Sequence, residues 1–258
     1  MLVHSSLRSF GVVAGGARSV AAALVSVCGT VVVPAGTWDD RTGLPCPPGL
    51  ERPNNAASVA GTWEEFDAAL SAAVPWSKDL PIDKDLGVIP EAVRRGFPHS
   101  RSSHPLVAFL GVGPDARQIA DASRLDWPLG PIEVLEELDG YVLMLGVDYR
   151  SSTTIHLAEQ RLGRSRFYRY AKAAPGVWME LPNVPGQSHR FNDIEPDVHH
   201  LTREVSIGTC RARLIRVRRV LRAATARMEA DAGALLCEDD ECRCGAARRQ
   251  REEWLRRG

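Results

Sequence analysis

Apolar residues recur along this chain in short runs, separated by connections rich in glycine and proline. Residues 2–4 read as the tail of an apolar strand that the start of the chain cuts short. Gly11, Gly15 and Gly16 make a flexible turn. Residues 17–27 then place apolar positions at helical spacing, and Val31, Val32 and Val33 read as a buried strand within 30–34. That succession is a β-loop-α-β unit, which predicts a sheet covered by helices. Residues 39–60 hold Pro45, Pro47, Pro48 and Pro53 with Gly43 and Gly49, so they read as a long loop. Further on, the pattern predicts a helix over 63–73 and the first turn of another over 90–95, opened by Pro90. Strands follow over 106–112 and 141–147, a helix over 154–162, and two antiparallel strands over 167–171 and 177–181. Residues 212–230 read as one arginine-rich amphipathic helix, and 246–257 as a short charged helix. Strands alternating with helices, plus a hairpin, predict an α/β domain with a mixed sheet over 1–236, followed by a cysteine-rich tail over 237–258.

Composition narrows the function classes. With 258 residues, 44% of them hydrophobic and 25% charged, the chain can bury a substantial core. Its formal net charge is zero, so no molecule-wide field favours nucleic acid or anionic lipid. The apolar start resembles a secretion signal only superficially: Arg18 interrupts it, and Gly11, Gly15 and Gly16 break the apolar core such a signal needs. No run is long and charge-free enough to span a bilayer, and a cytoplasmic protein is expected. The six cysteines do not form a disulfide framework, since three crowd near the end while Cys28, Cys46 and Cys210 are scattered.

Ser151-Ser152-Thr153-Thr154-Ile155-His156-Leu157-Ala158-Glu159-Gln160 is the stretch with most chemical content. Ser152 or Thr153 can cap a helix through its hydroxyl. His156 then falls in the first turn, where the helix dipole disfavours an imidazolium. Glu159, three residues on, shares its face and can orient or neutralise the ring. The helix begins just past the carboxyl end of an apolar strand, where ligands sit in α/β sheets. The same pair also suits an ordinary solvated helix face. No Gly-x-Ser-x-Gly elbow occurs, which argues against a serine hydrolase of the α/β type.

Several segments, taken in order, carry a resemblance. Val3-His4-Ser5-Ser6-Leu7-Arg8-Ser9-Phe10-Gly11, Gly15-Gly16, Pro34-Ala35, Gly87-Val88-Ile89-Pro90-Glu91, Arg101-Ser102-Ser103-His104-Pro105 and Thr153-Thr154-Ile155-His156-Leu157-Ala158-Glu159 together resemble the aminoglycoside 3-N-acetyltransferase family, over essentially the whole chain. The resemblance implies a single-domain, three-layer α/β/α sandwich. It also implies acetyl transfer from acetyl-CoA to the 3-amino group of a 2-deoxystreptamine antibiotic, with resistance as the outcome. In that reading His156 is the general base and Glu159 its support. His4, Ser5, Ser6 and Leu7, with Gly15 and Gly16, match a CoA-binding stretch, and Arg101, Ser102 and His104 match a second, Arg101 pairing with a phosphate. The partner implied is a small polycationic aminoglycoside, with neither nucleic acid nor membrane; a homodimer is compatible. Family members usually carry an extra N-terminal helix and a complete first strand, so the chain is expected to be shortened at its start.

A polycationic acceptor calls for carboxylates. Asp39, Asp40, Glu91, Glu159, Asp193 and Glu195 are the candidates, of which Glu159 and Asp193 come first and Asp39 and Asp40, beside Trp38, second. Cys237, Cys242 and Cys244 place three thiols within eight residues, and His189 or Cys210 could supply the fourth ligand of a structural zinc. The C-x₄-C-x-C spacing is not a standard zinc pattern, so free thiols on a tail are the competing reading. Two alternatives to the antibiotic transferase stand beside it: the same transfer to another amine in natural-product metabolism, and a non-catalytic relative that binds CoA or zinc.

Overall fold

The first strand of the chain, β1 (Leu2–Ser5), lies at the centre of the molecule. Helix α1 (Gly16–Val27) carries the chain back to β2 (Val31–Pro34), which runs parallel to β1 with Leu2 opposite Val32. Residues 1–37, 41–239 and 241–257 are described in this computed structural model. The proline-rich connection then contributes β3 (Gly43–Leu44) and leads to α2 (Trp63–Ala72) and α3 (Val88–Gly96). Next come β4 (Ser100–Arg101), β5 (Phe109–Val112), α4 (Ala116–Asp121), α5 (Gly130–Glu137) and β6 (Tyr141–Leu145). Helix α6 (Thr153–Arg161) is followed by the hairpin β7 (Phe167–Ala174) and β8 (Val177–Val184). The chain ends with α7 (Glu195–Val198), β9 (Arg203–Ile207), β10 (Cys210–Arg216), α8 (Val217–Ala230) and α9 (Arg243–Arg257).

Seven strands form one sheet in the order β4-β5-β2-β1-β6-β10-β9. β1 is parallel to β2 and β6, while the flanking pairs are antiparallel, so the sheet is mixed as expected. Strand alternation splits the core in two. Leu2, Val32, Val142, Met144 and Ile215 face a layer that includes Ile132, Ile155, Leu221 and Met228. Val3, Val31, Val33, Leu110 and Ala212 face Ala21 and Leu24 of α1 and Ile89 and Val93 of α3. This is the three-layer α/β/α arrangement. A second antiparallel sheet, β3-β7-β8, packs Leu44 and Tyr170 against Phe66 and Leu70 of α2.

Two elements depart from the sequence pattern. Residues 212–216 belong to β10, pairing with β6 from Ala212 opposite Leu145 to Arg216 opposite Tyr141. No capping residue or breaker separates that strand from α8: Arg216 sits at the helix start with no side-chain cap. A continuous Arg-rich run therefore reads as one helix although its first part alternates between two cores. In residues 106–112 only Phe109–Val112 pairs as strand; Leu106 and Val107 turn around His104, whose Nδ1 accepts from both of their backbone N–H groups. Among the described residues no helix is long and apolar enough to cross a membrane.

Candidate functional site

At the carboxyl ends of the parallel strands β1 and β6 the sheet opens into a cleft of about 1000 Å³. α6 supplies its reactive side chain. The helix is entered through a 3-10 turn, Tyr149–Ser151, in which the Asp148 carboxylate accepts from the Arg150 N–H. Ser152 holds the cap position, but its hydroxyl is buried and bonds to nothing, so the expected side-chain cap is not made. A backbone bond serves instead, with the Ile155 N–H donating to the Ser152 carbonyl.

His156 lines the cleft and is 8% exposed. Its Nδ1 lies 2.8 Å from Oε2 of Glu159, which is fully buried. A carboxylate only accepts, so Nδ1 carries the proton and the other ring nitrogen keeps its lone pair. The face of the ring is fixed by an edge contact with Phe191, 4.7 Å between centroids.

The far side of Glu159 is closed by Arg164, whose guanidinium is wholly buried and 3.3 Å from Oε1. Local backbone geometry explains how Arg164 gets there. Gly163 ends α6 in the left-handed region (φ 77°), its N–H donating to the Gln160 carbonyl, and the Arg164 N–H returns to the Glu159 carbonyl at 3.0 Å. This is the Schellman turn that glycine permits. It reverses the chain, so the residue after the glycine sits beside the last turn of the helix. Arg164 also donates to the carbonyls of Ala232 (2.9 Å) and Ala234 (2.7 Å), anchoring the triad of His156, Glu159 and Arg164 to the segment behind it.

The other predicted residues divide sharply. His4, Ser5, Ser6 and Leu7 line the cleft opposite His156. Burial pushes the His4 imidazole down to about 4, and its Nε2, with the Ser5 hydroxyl, is buried without a partner. Gly15 and Gly16 start α1 and do not line the cleft. Arg101 does not face it either. In place of a phosphate, its guanidinium takes the carbonyls of Ala35, Lys78 and Leu80, and burial pulls it down to about 10. The Ser102 hydroxyl accepts from the Phe109 N–H, so Ser102 and His104 shape the turn into β5, whose Phe109 does reach the cleft.

The carboxylates fare similarly. Asp193 pairs with Arg190 at 2.7 Å, away from the cleft lining. Glu195 contacts Arg213 at 3.4 Å. Against the cost of burial, hydrogen bonds from Arg94 and the Ile82 N–H hold Glu91 down to about 2. Asp39 and Asp40 lie outside the described residues. Among the described residues, the lining holds one carboxylate, Asp85, against Arg8, Lys84, Arg150 and Arg169. Sequence reasoning missed these cations, as it missed Arg164 and Phe191. Such a lining suits a polyanion such as the phosphates of CoA.

Behind this site the cysteine tail folds back onto the body. His189, Cys237, Cys242 and Cys244 bring one donor atom each to within 4.8 Å of one another, with Cys244 Sγ 3.8 Å from His189 Nε2. Cys242 precedes α9 and Cys244 lies in its first turn, so the change of backbone direction lets both thiols converge despite their close spacing. Cys210, the other candidate fourth ligand, is buried in the α1-side core instead. Three thiols and one imidazole form the donor set of a closed, tetrahedral zinc site.

Comparison with known proteins agrees with this geometry. A SPbeta prophage-derived aminoglycoside N(3')-acetyltransferase-like protein, YokD, of Bacillus subtilis (strain 168) is 28% identical over 229 residues, covering 83% of this chain and 80% of that protein. Aminoglycoside N(3)-acetyltransferase IV of Salmonella sp is 35% identical over 165 residues, which is 62% of this chain and 51% of that protein. The chain thus spans about half the length of the Salmonella enzyme it matches. The crystal structure of the aminoglycoside acetyltransferase AAC(3)-IVa apoenzyme superposes with a TM-score of 0.75 at 27% identity, over 96% of this chain and 89% of that one. The family model for aminoglycoside 3-N-acetyltransferase matches residues 2–229, and the chain belongs to that family.

Proposed function

We propose that this protein transfers the acetyl group of acetyl-CoA to the 3-amino group of a 2-deoxystreptamine aminoglycoside, and so confers resistance. The observation that carries the reading is the buried His156–Glu159–Arg164 array at the wall of a cationic cleft. The amine nitrogen attacks the thioester carbonyl directly, since a thioester needs no enzyme nucleophile. A C–N bond forms and the C–S bond breaks. The proton leaving the amine goes to the free ring nitrogen of His156 and passes on to the departing CoA sulfur. Glu159 stabilises the imidazolium in between. His4 and Ser5 offer buried polar atoms to the donor, and the cations of the lining offer charge to its phosphates. Two relatives of known structure, 27% and 28% identical, are complexes with a gentamicin and with apramycin.

One observation favours a second reading, transfer to a less highly charged amine: among the described residues the cleft lining has a single carboxylate. Purified protein with acetyl-CoA and a panel of aminoglycosides and simple amines separates the two by thiol release. Turnover is expected with an aminoglycoside and should fall about 10²- to 10⁴-fold in His156→Ala. Thiol release that is insensitive to His156→Ala would end both readings.

We infer also that His189, Cys237, Cys242 and Cys244 hold a zinc ion. Four protein ligands leave no open position, so its role is structural and no step of the transfer runs through it.

A further inference from the structure

The zinc ligands stand one step from the walls of the cleft. Residues 185–188 line it, and His189 is the next residue in the chain. Across the cleft, Asn55 is part of the lining, and its side-chain amide donates to the Pro185 carbonyl at 2.5 Å. The turn holding Asn55 is gripped from behind by Arg243, which lies between Cys242 and Cys244 and donates to the carbonyls of Asn54 (3.4 Å) and Ala56 (2.5 Å). A third connection runs through Arg164, which bonds Ala232 and Ala234 just ahead of Cys237 and touches Glu159 at its other end. Both walls and the partner of the general base are therefore tied to one four-ligand cluster.

Ordinary packing offers little to hold that cluster down. Only Leu236, Cys244 and Ala247 of the tail join Phe167 in its buried apolar group. Helix α9 carries six arginines and two glutamates in fifteen residues. Its remaining anchors are polar: Arg251 to the Leu162 carbonyl, the Gln250 side chain to the Arg166 backbone, and Arg248 to the Cys237 carbonyl. Exchange of such bonds with water is cheap, so the segment would open locally without a stronger restraint.

We propose that zinc at His189, Cys237, Cys242 and Cys244 braces the catalytic cleft, fixing the 54–56 and 185–188 walls and the Arg164 support of Glu159. The proposal rests on the zinc reading given above and not on the identity of the acceptor. Outer groups that orient a metal's surroundings typically matter 10- to 100-fold in affinity or activity. Here the relation runs the other way, from the metal outward to the site.

The test uses the full chain with and without zinc, prepared by chelation and restored by adding zinc alone. Metal analysis should find about one zinc per chain in the restored protein. Hydrogen exchange should then speed up at least about tenfold on zinc removal in the 54–56 and 185–188 segments, but not in β1 or β2. Acetyl-CoA affinity should weaken by a similar factor and return with zinc. Arg243→Ala is expected to keep its zinc yet loosen the 54–56 turn. Failure to take up zinc removes the metal reading. A chain that binds zinc but shows unchanged exchange at both walls after its removal overturns the brace and leaves the metal as a clasp on the tail. Exchange is read without turnover, so a protein inactive on every acceptor would still decide the question.

Discussion

Glu159 carries two partners on one buried carboxylate, His156 on one oxygen and Arg164 on the other. Glu159→Gln keeps the shape but strands a buried guanidinium, which should cost about 3–5 kcal/mol, read as a lower urea midpoint. Adding Arg164→Met should recover part of that stability by removing the stranded charge. Turnover should stay at least roughly tenfold down in both variants, because neither can hold the imidazolium. Recovery of turnover together with stability would show the carboxylate to be merely structural. The pair at 156 and 159 was legible because three-residue spacing on a helix is a local rule. Arg164 was not, since its approach depends on the reversal at Gly163. Leu162-Gly163-Arg164 after a helix carries the signal, and a reader alert to C-terminal glycine could have used it. Arg101 misled for the opposite reason: an arginine in a motif gives no hint that three backbone carbonyls will absorb its donors.

At the level of elements, most strands and helices declared themselves through their period, and the failures fall where two periods meet without punctuation. β10 runs into α8 with no cap, and β9 is an exposed edge strand whose side chains give no buried face to alternate. Connections can be decisive where helices meet closely. Gly130 opens α5 against the end of α4, and a Cβ there would stand 2.0 Å from the Ala122 carbonyl oxygen. The obstacle is backbone and cannot swing aside. Gly130→Ala should therefore destabilise by about 1–3 kcal/mol or more, seen in urea unfolding, although alanine is the better helix former. A neutral or stabilising effect would mean that the two helices are free to separate.

For the whole molecule, acid is the informative variable. His4 and His104 are kept uncharged by burial, with values near 4 and 3 against 6.5 in an open chain. The unfolded chain therefore binds these protons first. Stability should be full above about pH 6.5 and fall as the pH drops toward 4, with His4 alone contributing on the order of 3 kcal/mol. For His104 the reason is visible, because protonating Nδ1 would break two backbone hydrogen bonds at the entry to β5. Urea midpoints from pH 7.5 to 4.5 check this, and the slope should flatten in His104→Asn. A stability that rises through that acid range would contradict the burial of these rings.

The central place of β1 has a consequence for how the protein comes into being. The first strand to leave the ribosome pairs on one side with residues 31–34 but on the other with residues 141–145. The face of α6 opposite the sheet waits longer still, for α8 and for the carbonyls at 232 and 234 that receive Arg164. Contacts so distant in sequence close late, after their loop entropy has been spent. A nascent or truncated chain ending before about residue 235 would thus hold His156 without a completed surrounding, and synthesis must run nearly to its end before the cleft exists at all.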